Sequence, residues 1–385
     1  MRLQFDAISE ATPGPKWQRI FAQSWPGWRE WQQRKTTGEA PRLAECERAL
    51  GRYMPELLPV WRKMVDLTGE NEAAGRFLSF WCPPRYLVSC SQAVLIDDQG
   101  PLLIRNYDLE PALSEATILH SAWTGRLVIG AVEGIAGAAD GINESGLAAS
   151  LTFGGRINAG RGFGIPLIVR YLLEVCSDTQ EAVEALRSVP CHMSYNVSVV
   201  DRSGKFATVY LSPDRPAVVT ADAATTNHQL CVEWPAHARR SRTLERKDFL
   251  THLLAKRQPS GEQVLAAFLT PPLFSTNYAE GFGTVYTTLY RPGERSMALH
   301  WRDQPQWKKT VKAFCEDQRT VVYPIDLEPT SAALDEGVTA LRKSRGNEDL
   351  ARWHSYLPTG FAEAVASNLQ DPGTADWTAL KYYWG

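Results

Sequence analysis

A cysteine near the start of a predicted β-strand is the residue of this sequence best suited to do chemistry. Cys90 lies in the run YLVSCSQAVLI, and after the turn DDQG the run PLLIRNYD brings Arg105 and Asp108 onto the paired strand. A guanidinium close to a thiol lowers its pKa from the free value of about 8.5 and so favours a nucleophilic thiolate. The same residues also fit a half-buried cysteine beside a structural ion pair, and residue types alone leave both interpretations open.

Other signatures of chemistry are missing from the sequence. The 385 residues contain no P-loop, HExxH or GxSxG motif, and the seven cysteines form no CxxC pair. An odd number of cysteines without such pairs argues against a zinc ribbon and against a disulfide framework. We therefore expect neither a metal nor an organic cofactor.

The elements that must position Cys90 are predicted to be antiparallel strands with helices packed on them. Short β-rich runs follow the first hairpin, at 117–120, 126–132 and 147–153 and in YNVSVVD, FATVYLSP, TVYTTLY and SMALHW. Apolar residues at helical spacing predict helices over 165–175, from the capping box Ser177 to Gln180 onward, over 239–254 and over 261–269. Strands and helices without strict βαβ alternation indicate an α+β fold.

The first 89 residues have a different pattern. They contain six of the thirteen tryptophans, and apolar residues recur at helical spacing. Pro55 and Pro59 interrupt this pattern, so we expect two short helices there in place of one long helix. The sequence thus predicts a helical N-terminal segment that ends before Cys90.

Composition and charge restrict the possible functions. Hydrophobic residues make up 44% and charged residues 22%, and 41 basic side chains against 43 acidic ones give a net charge of −2. Such a balance without a basic run argues against binding to nucleic acid or to an anionic membrane. The apolar runs are shorter than the roughly 18 residues of a membrane span, and the first residues lack signal-peptide anatomy. We expect a folded, cytoplasmic protein.

The order of several motifs resembles the N-terminal nucleophile (Ntn) hydrolases. The motifs are CSQAVLIDDQGPLLIRNYD, GAADGINESGLAASLTFGGR, YNVSVVDRSG, TTNH, ARRSRTLER and TVYTTLYRP. Together they span roughly residues 86 to 300, and their joint agreement is far more specific than any one motif. Within the superfamily the chain looks most like the acyl-coenzyme A:isopenicillin N acyltransferase family, with choloylglycine hydrolase and penicillin V acylase as more distant relatives.

This resemblance implies a fold and a division of the chain. The fold is a four-layer αββα sandwich, in which two antiparallel sheets lie between layers of helices. Residues 1–89 are expected to form a helical prosegment, 90–325 the catalytic core, and 326–385 a mostly helical C-terminal extension. The GINESGL motif is expected to be structural, with Gly141 and Gly146 meeting backbone requirements.

The resemblance also implies a nucleophile and its release. Cys90 matches the family's nucleophile, which is freed when the chain cleaves its own Ser89–Cys90 bond, leaving two associated chains. The new α-amino group, with a reference pKa of about 7.7 to 8.0, can then act as the base of the thiol. Relatives usually carry glycine before the cysteine, whereas this chain has Ser89.

Further active-site residues are implied by position in the motifs. Arg105 and Asp108 match the arginine and aspartate that hold the thiolate and the α-amino group, and Asn227 matches the asparagine that donates to the oxyanion. A second oxyanion donor, a backbone amide, falls near Thr152. Another active-site arginine lies in ARRSRTLER, where Arg242 is preferred over Arg246.

Several functions are compatible with these residues. The expected one is hydrolysis of a small linear amide through a cysteinyl thioester, and an acyltransferase that takes an acyl-coenzyme A and an amine is the main alternative. A papain-type enzyme with His120 or His228 as base would need no cleavage. A catalytically degenerate Ntn fold that only binds ligands is the non-enzymatic alternative.

Overall fold

The chain is described from a computed structural model that covers residues 1–36, 40–86, 89–109, 111–255, 259–278 and 282–324. The expected C-terminal extension, 326–385, lies outside the described residues. The helices are α1 (Pro15–Lys35), α2 (Leu43–Tyr53), α3 (Leu58–Leu67), α4 (Glu72–Ser79), α5 (Ile165–Val175), α6 (Thr179–Ser188), α7 (Pro235–Arg240), α8 (Thr243–Ala255) and α9 (Gly261–Phe268). A turn of 3-10 helix between α2 and α3 contains Pro55, so the predicted interruption by proline is confirmed.

The first sheet carries the long antiparallel meander of the fold. Its strands are β1 (Arg2–Ser9), β4 (Thr117–Ser121), β5 (Val128–Glu133), β6 (Gly137–Asn143), β7 (Ala148–Phe153), β8 (Tyr195–Val200), β9 (Phe206–Leu211), β10 (Val218–Thr220) and β16 (Asp317–Val322). Their order in the described part of the chain is β10-β9-β8-β7-β6-β5-β4-β1-β16. Strand β1 pairs parallel with β4 and antiparallel with β16, so the N-terminus is built into this sheet.

The second sheet contains the predicted hairpin with Cys90. Its strands are β2 (Ser89–Asp97), β3 (Gly100–Asp108), β11 (Ala224–Thr225), β12 (Thr276–Asn277), β13 (Phe282–Arg291), β14 (Ser296–Trp301) and β15 (Gln304–Thr310). The order among the described residues is β11-β2-β3-β13-β14-β15, and β12 pairs with β13. The register places Cys90 opposite Tyr107 and Ser89 opposite Asp108.

The two sheets face each other and each carries helices on its outer face. Helices α5 and α6 pack on the first sheet, against β6 and β9, while α8 and α9 pack on the second, against β2 and β3. Strands β2 and β3 contact β7 and β8 across the interface between the sheets. This arrangement confirms the predicted α+β fold of four layers in the order αββα.

Small residues allow α5 to lie very close to β6. A side chain on Gly141 would place its Cβ 2.5 Å from Cδ1 of Leu173, and one on Gly137 would meet Pro166. The following turn is closed by Asn143, whose Oδ1 accepts hydrogen bonds from the backbone amides of Ser145 and Leu147, both at 3.1 Å. The GINESGL segment is therefore structural, as expected, and in addition its Gly141 allows the close approach of α5.

The structure differs from the sequence-based elements in several places. Residues 2–9 form β1, although the N-terminal segment was expected to be helical. Strand β6 was missed because its Gly- and Ala-rich sequence lacks the β-branched residues that mark strands. Strands β15 and β16 were also missed. Helix α6 is capped by Asp178, which accepts from the amide of Glu181, and not by Ser177.

Candidate active site

Cys90 lies at the beginning of β2 with its side chain in the interface between the sheets. It is fully buried, and Nη2 of Arg105 donates a hydrogen bond to its Sγ at 3.1 Å. Burial raises the pKa of the Cys90 thiol to about 11, and the neighbouring Arg105 acts in the opposite direction. With such a pKa the thiol is protonated at neutral pH, and it would need a base to act as a nucleophile.

Arg105 reaches the thiol because three groups hold its guanidinium. Nε donates to the carbonyl oxygen of Leu151 at 3.0 Å, and Nη1 forms an ion pair with Asp140. The guanidinium carbon lies 4.6 Å from the centre of the Tyr107 ring. These contacts compensate the buried positive charge, because burying an unpaired charge would cost much free energy.

Asp108 lies on the opposite face of β3, toward helix α8. Its Oδ1 accepts from Oγ1 of Thr284 at 2.7 Å, and its Oδ2 lies 3.9 Å from Nη1 of Arg246. Burial raises the pKa of the Asp108 carboxyl to about 6, and the charge of Arg246 opposes this shift. Because Asp108 is opposite Ser89 in the sheet, it faces the bond expected to be cut.

Asn227 follows β11, the strand that pairs with β2, and its side chain lies against the start of β2. Its Oδ1 accepts hydrogen bonds from the backbone amide of Cys90 at 3.3 Å, from Oγ of Ser89 at 3.1 Å and from Nη2 of Arg246 at 2.5 Å. Three donors on one side fix the orientation of the amide. Its Nδ2 donates to the carbonyl of Phe153 at 3.3 Å.

Thr152 lies at the end of β7 and is fully buried. Its Oγ1 donates to the carbonyl of Thr226 at 2.9 Å and accepts from Nδ2 of Asn196 at 3.1 Å. Nδ2 of Asn196 also donates to the same carbonyl at 2.9 Å. The Thr152 side chain therefore holds the segment that carries Asn227, and the expected role of a nearby backbone amide stays a prediction.

The arginine at this site is Arg246, and the preference for Arg242 is corrected. Arg242 lies between α7 and α8, pairs with Glu245 and has 56% of its side chain exposed. Arg246 is buried one turn further along and donates from Nη1 to the Cys90 carbonyl at 2.7 Å. The sequence predicts one continuous helix for both arginines, but α7 ends at Arg240 and α8 begins at Thr243, and Arg242 between them has a φ of 50°. Positions in α8 therefore do not continue the helical periodicity of α7.

Neither histidine considered as a base lies at the thiol. His120 stacks on Phe314 at the far end of the first sheet and shares a hydrogen bond with Ser9. His228 has its Nδ1 2.8 Å from Oγ1 of Thr243. In the part of the chain that the structure describes, Arg105 is the side chain hydrogen-bonded to Cys90 Sγ. The geometry gives no support to a papain-type pair.

Sequence reasoning missed a second group of buried acids and phenols close to Cys90. Glu133 accepts hydrogen bonds from the hydroxyls of Tyr86 and Tyr107, and Tyr86 lies 3.0 Å from Tyr107 between their hydroxyl oxygens. Asp140 holds Arg105 from the first sheet. A lone aspartate inside the apolar run GAADGIN was the available signal, because an unpaired carboxylate is not buried without a partner.

An apolar cavity lies next to these residues, between the N-terminal helices and the sheets. The aromatic residues Trp28, Trp31, Phe77 and Phe80 line it from the N-terminal segment. The facing wall includes Ile165, Met193 and Tyr195. The hydroxyl of Tyr195 donates to the backbone carbonyl of Tyr86, and Tyr86 forms part of the wall.

The described residues contain no group of three or more His, Cys, Asp and Glu side chains that could hold a metal ion. No helix in the described ranges is long and apolar enough to cross a membrane. The seven cysteines, all within the described ranges, are free thiols.

Comparisons with known proteins relate the chain to a family of acyl-transferring enzymes. Residues 96–306, more than half of the chain, match the family model described as acyl-coenzyme A:6-aminopenicillanic acid acyl-transferase. Arg105, Asp108, Asn227 and Arg246 lie inside this range, and Cys90 lies just before it. A search of curated proteins gave no match.

The chain is also similar to solved structures at low sequence identity. A mutant of conjugated bile acid hydrolase from Clostridium perfringens is 11% identical, with a TM-score of 0.42, covering 62% of this chain and 99% of that one. Penicillin V acylase from Agrobacterium tumefaciens is 14% identical, with a TM-score of 0.39, covering 60% and 90%. The Caenorhabditis elegans ortholog of N-acylethanolamine-hydrolyzing acid amidase is 17% identical, with a TM-score of 0.35, covering 53% and 93%.

The two arginines provide a matched test of the site's construction. Arg246→Ala leaves the carbonyls of Cys90 and Ser241 without their buried donor, and we expect it to lower the free energy of unfolding by about 3 to 5 kcal/mol. Arg242→Ala removes only an exposed ion pair and should cost less than about 1 kcal/mol. Urea unfolding measures both values. Equal losses would contradict the assignment of Arg246 to the buried site.

Proposed function

The chain belongs to the acyl-coenzyme A:6-aminopenicillanic acid acyl-transferase family, and we propose that it is a self-cleaving cysteine amidase that acts on a small linear amide through a Cys90 thioester. The observation that carries this proposal is the contact between Cys90 Sγ and Arg105 at 3.1 Å, with the backbone nitrogen of the same cysteine held by Asn227. Nucleophile, counter-charge and the atom that becomes the base thus lie within one cluster.

Cleavage would proceed within the buried start of β2. The thiol attacks the carbonyl carbon of Ser89, a carbon–sulfur bond forms, and the Ser89–Cys90 amide bond breaks as the Cys90 nitrogen takes up a proton. Water then hydrolyses the thioester to the Ser89 carboxylate and restores the thiol. Ser89 itself is an ordinary strand residue, opposite Asp108, so the backbone here fits a serine in place of the family's usual glycine.

The new α-amino group supplies the base that the uncut chain lacks. With a reference pKa of about 7.7 to 8.0 it accepts a proton near neutral pH, whereas burial raises the pKa of the Cys90 thiol to about 11. Asn227 Oδ1 and Asp108 lie on the side of this nitrogen and would orient it. Self-cleavage therefore turns an inert thiol into an activated one.

Turnover of a substrate would follow the same chemistry as self-cleavage, with the amide bond of the substrate in place of the Ser89–Cys90 bond. Cys90 Sγ forms a bond to the acyl carbon, the amide nitrogen leaves with a proton from the α-amino group, and water releases the acid. Asn227 and a backbone amide near Thr152 would stabilise the oxyanion. The donor on Asn227 is Nδ2, which binds the Phe153 carbonyl in the uncut chain and would have to turn from it to the oxyanion. The reaction needs no metal and no organic cofactor.

The N-terminal fragment would stay bound after the cut. Strand β1 lies between β4 and β16, and Trp17 and Trp25 of α1 are buried in the main core. We propose that fragments 1–89 and 90–385 form a heterodimer. The protein is proposed to be cytoplasmic, with small molecules as its partners.

A transferase is the second candidate function, and the description of the family favours it. The same thiol can accept an acyl group from acyl-coenzyme A and pass it to an amine in place of water. Release of free coenzyme A only when an amine is supplied would identify the transferase, whereas release of the amine from an N-acyl compound with water as the acceptor would identify the hydrolase.

Two cysteine variants test the proposed nucleophile. Cys90→Ala should remain a single chain of full length and lose turnover of N-acyl amino compounds, because no other thiol lies at Arg105. Cys82→Ala, at a partly buried position in the N-terminal segment, should be cleaved and active like the wild type. Intact mass under denaturing conditions and mass-spectrometric detection of released amine provide the two readouts.

Other outcomes would overturn parts of the proposal. A fully active wild-type protein of unbroken length would exclude the α-amino base, and equal losses in the two variants would indicate a general folding role for both cysteines. A cleaved wild-type protein that forms no acyl-enzyme with activated esters would favour a degenerate fold used only for binding.

Asn227 is expected to act on the transition state and not on substrate affinity. In cleaved protein, Asn227→Ala should lower kcat by about 100- to 1,000-fold with little change in KM, as for the loss of one oxyanion donor. Asn227→Asp should be no better, because it places a negative charge where the oxyanion forms. Steady-state kinetics on material shown by mass to be cleaved decides this, and a loss confined to KM would contradict the oxyanion role.

A further inference from the structure

Asp140 is a buried carboxylate that binds Arg105, the side chain that donates a hydrogen bond to Cys90 Sγ. It belongs to β6 in the first sheet, whereas Arg105 and Cys90 belong to the second sheet, and its side chain is fully buried. Oδ2 accepts from Nη1 of Arg105 and from the Tyr286 hydroxyl at 3.4 Å, and Oδ1 accepts from the Tyr290 hydroxyl. Both oxygens are therefore occupied, and the carboxylate is fixed in position.

The guanidinium of Arg105 is shared between this carboxylate and the thiol. Nη1 binds Asp140, Nη2 donates to Cys90 Sγ at 3.1 Å, and Nε binds the Leu151 carbonyl at 3.0 Å. A guanidinium is planar and its donors point in fixed directions. Fixing Nη1 and Nε from β6 and β7 therefore determines where Nη2 points, and that direction is toward Sγ.

The same carboxylate offsets part of the positive charge of Arg105 that acts on the thiol. The charged and titratable groups around Arg105 and Sγ come from several elements: Tyr107 and Asp108 from β3, Glu133 from β5, Tyr195 from β8, Arg246 from α8, and Tyr286 and Tyr290 from β13. Asp140 is the carboxylate among these described groups that forms an ion pair with Arg105. Its negative charge offsets the cation that would otherwise favour the thiolate.

We propose that Asp140 is a positioning residue for the nucleophile, which aims Arg105 at Cys90 and, by balancing its charge, keeps the thiol protonated until the α-amino base removes the proton. The inference rests on the proposed function for its catalytic meaning, but the geometry on which it is built does not require turnover. It also explains why a carboxylate is buried inside the Gly- and Ala-rich strand β6.

Titration of the Cys90 thiol tests the charge balance directly. Protein labelled with ¹³Cβ-cysteine, with the Cys90 signal assigned by its loss in Cys90→Ala, reports the thiol even when it is buried. Asp140→Asn should lower the pKa of the Cys90 thiol by about 1 or more, because the charge of Arg105 then acts without its counter-charge. A thiol that titrates as in the wild type would overturn the proposal.

Asp97→Asn is the matched control. Asp97 forms an ion pair with Arg291 through two hydrogen bonds, at 2.6 and 2.8 Å. It lies in the same sheet as Cys90, at the other end of β2. Its loss should lower stability, as should the loss of Asp140, but should leave the Cys90 titration unchanged. A similar shift in both variants would mean that general destabilisation moves the thiol, and would refute the specific role of Asp140.

Asp140→Glu tests positioning separately from charge. It keeps the carboxylate but displaces it by one methylene, so we expect kcat to fall about 10- to 100-fold at nearly constant KM, with little change in the thiol titration. An unchanged kcat would contradict the positioning role, and this result decides the matter if Asp140→Asn does not fold. Active Cys90→Ala protein would instead refute the proposed function while leaving the titration result intact.

Discussion

The burial of one guanidinium beside a thiol is the constraint on which this structure depends. Arg105 lies between two sheets without contact with solvent, and a charge in that position is tolerated only when its donors are satisfied in good geometry. Its partners come from both sheets, Cys90 from one and Asp140 and Leu151 from the other. The relative position of the sheets is therefore tied to the site, and the close packing of α5 on the small residues of β6 supports the strand that carries Asp140.

Side chains at the start of β2 lie on two faces of the strand and contact different arginines. Cys90 points into the sheet interface toward Arg105, while Ser89 and Ser91 point toward helix α8, where Arg246 donates to Ser91 Oγ at 2.8 Å. Arg246 also binds the Cys90 carbonyl and Asn227, so one side chain fixes the backbone on the side of β2 opposite the Cys90 thiol. Because successive side chains of a strand point to opposite faces of the sheet, the two buried arginines lie on opposite faces of one sheet. This separation limits the repulsion between their charges.

Site residues could be predicted from the sequence where local structure alone brings them together. The turn after β2 fixes the pairing of its hairpin, so Cys90, Arg105 and Asp108 could be brought together from their spacing alone. Arg246 could not be told from Arg242, because the break between α7 and α8 depends on one residue with positive φ that no propensity predicts. Asp140 is marked in the sequence only as a lone aspartate in an apolar run, and its partner Arg105 could not be assigned, since β6 owes its strand conformation to neighbours on both sides and to α5, which is tertiary information.

Burial of the uncut site also bears on how the site could open. Ser89 is 4% exposed and pairs with Asp108, whose carboxyl has its pKa raised to about 6 by burial. Cleavage as proposed would create a second carboxylate at Ser89, close to Asp108, in a place where water is scarce. Two carboxylates in such a place repel each other, and the positive charges of Arg246 and of a protonated α-amino group on Cys90 offset this repulsion. In the neutral form that can act as a base, the α-amino group no longer contributes, and the single charge of Arg246 cannot compensate both carboxylates. The uncut peptide is neutral and remains, whereas the cut end carries a charge that favours its departure, so the chemistry that activates the Cys90 thiol would also uncover it.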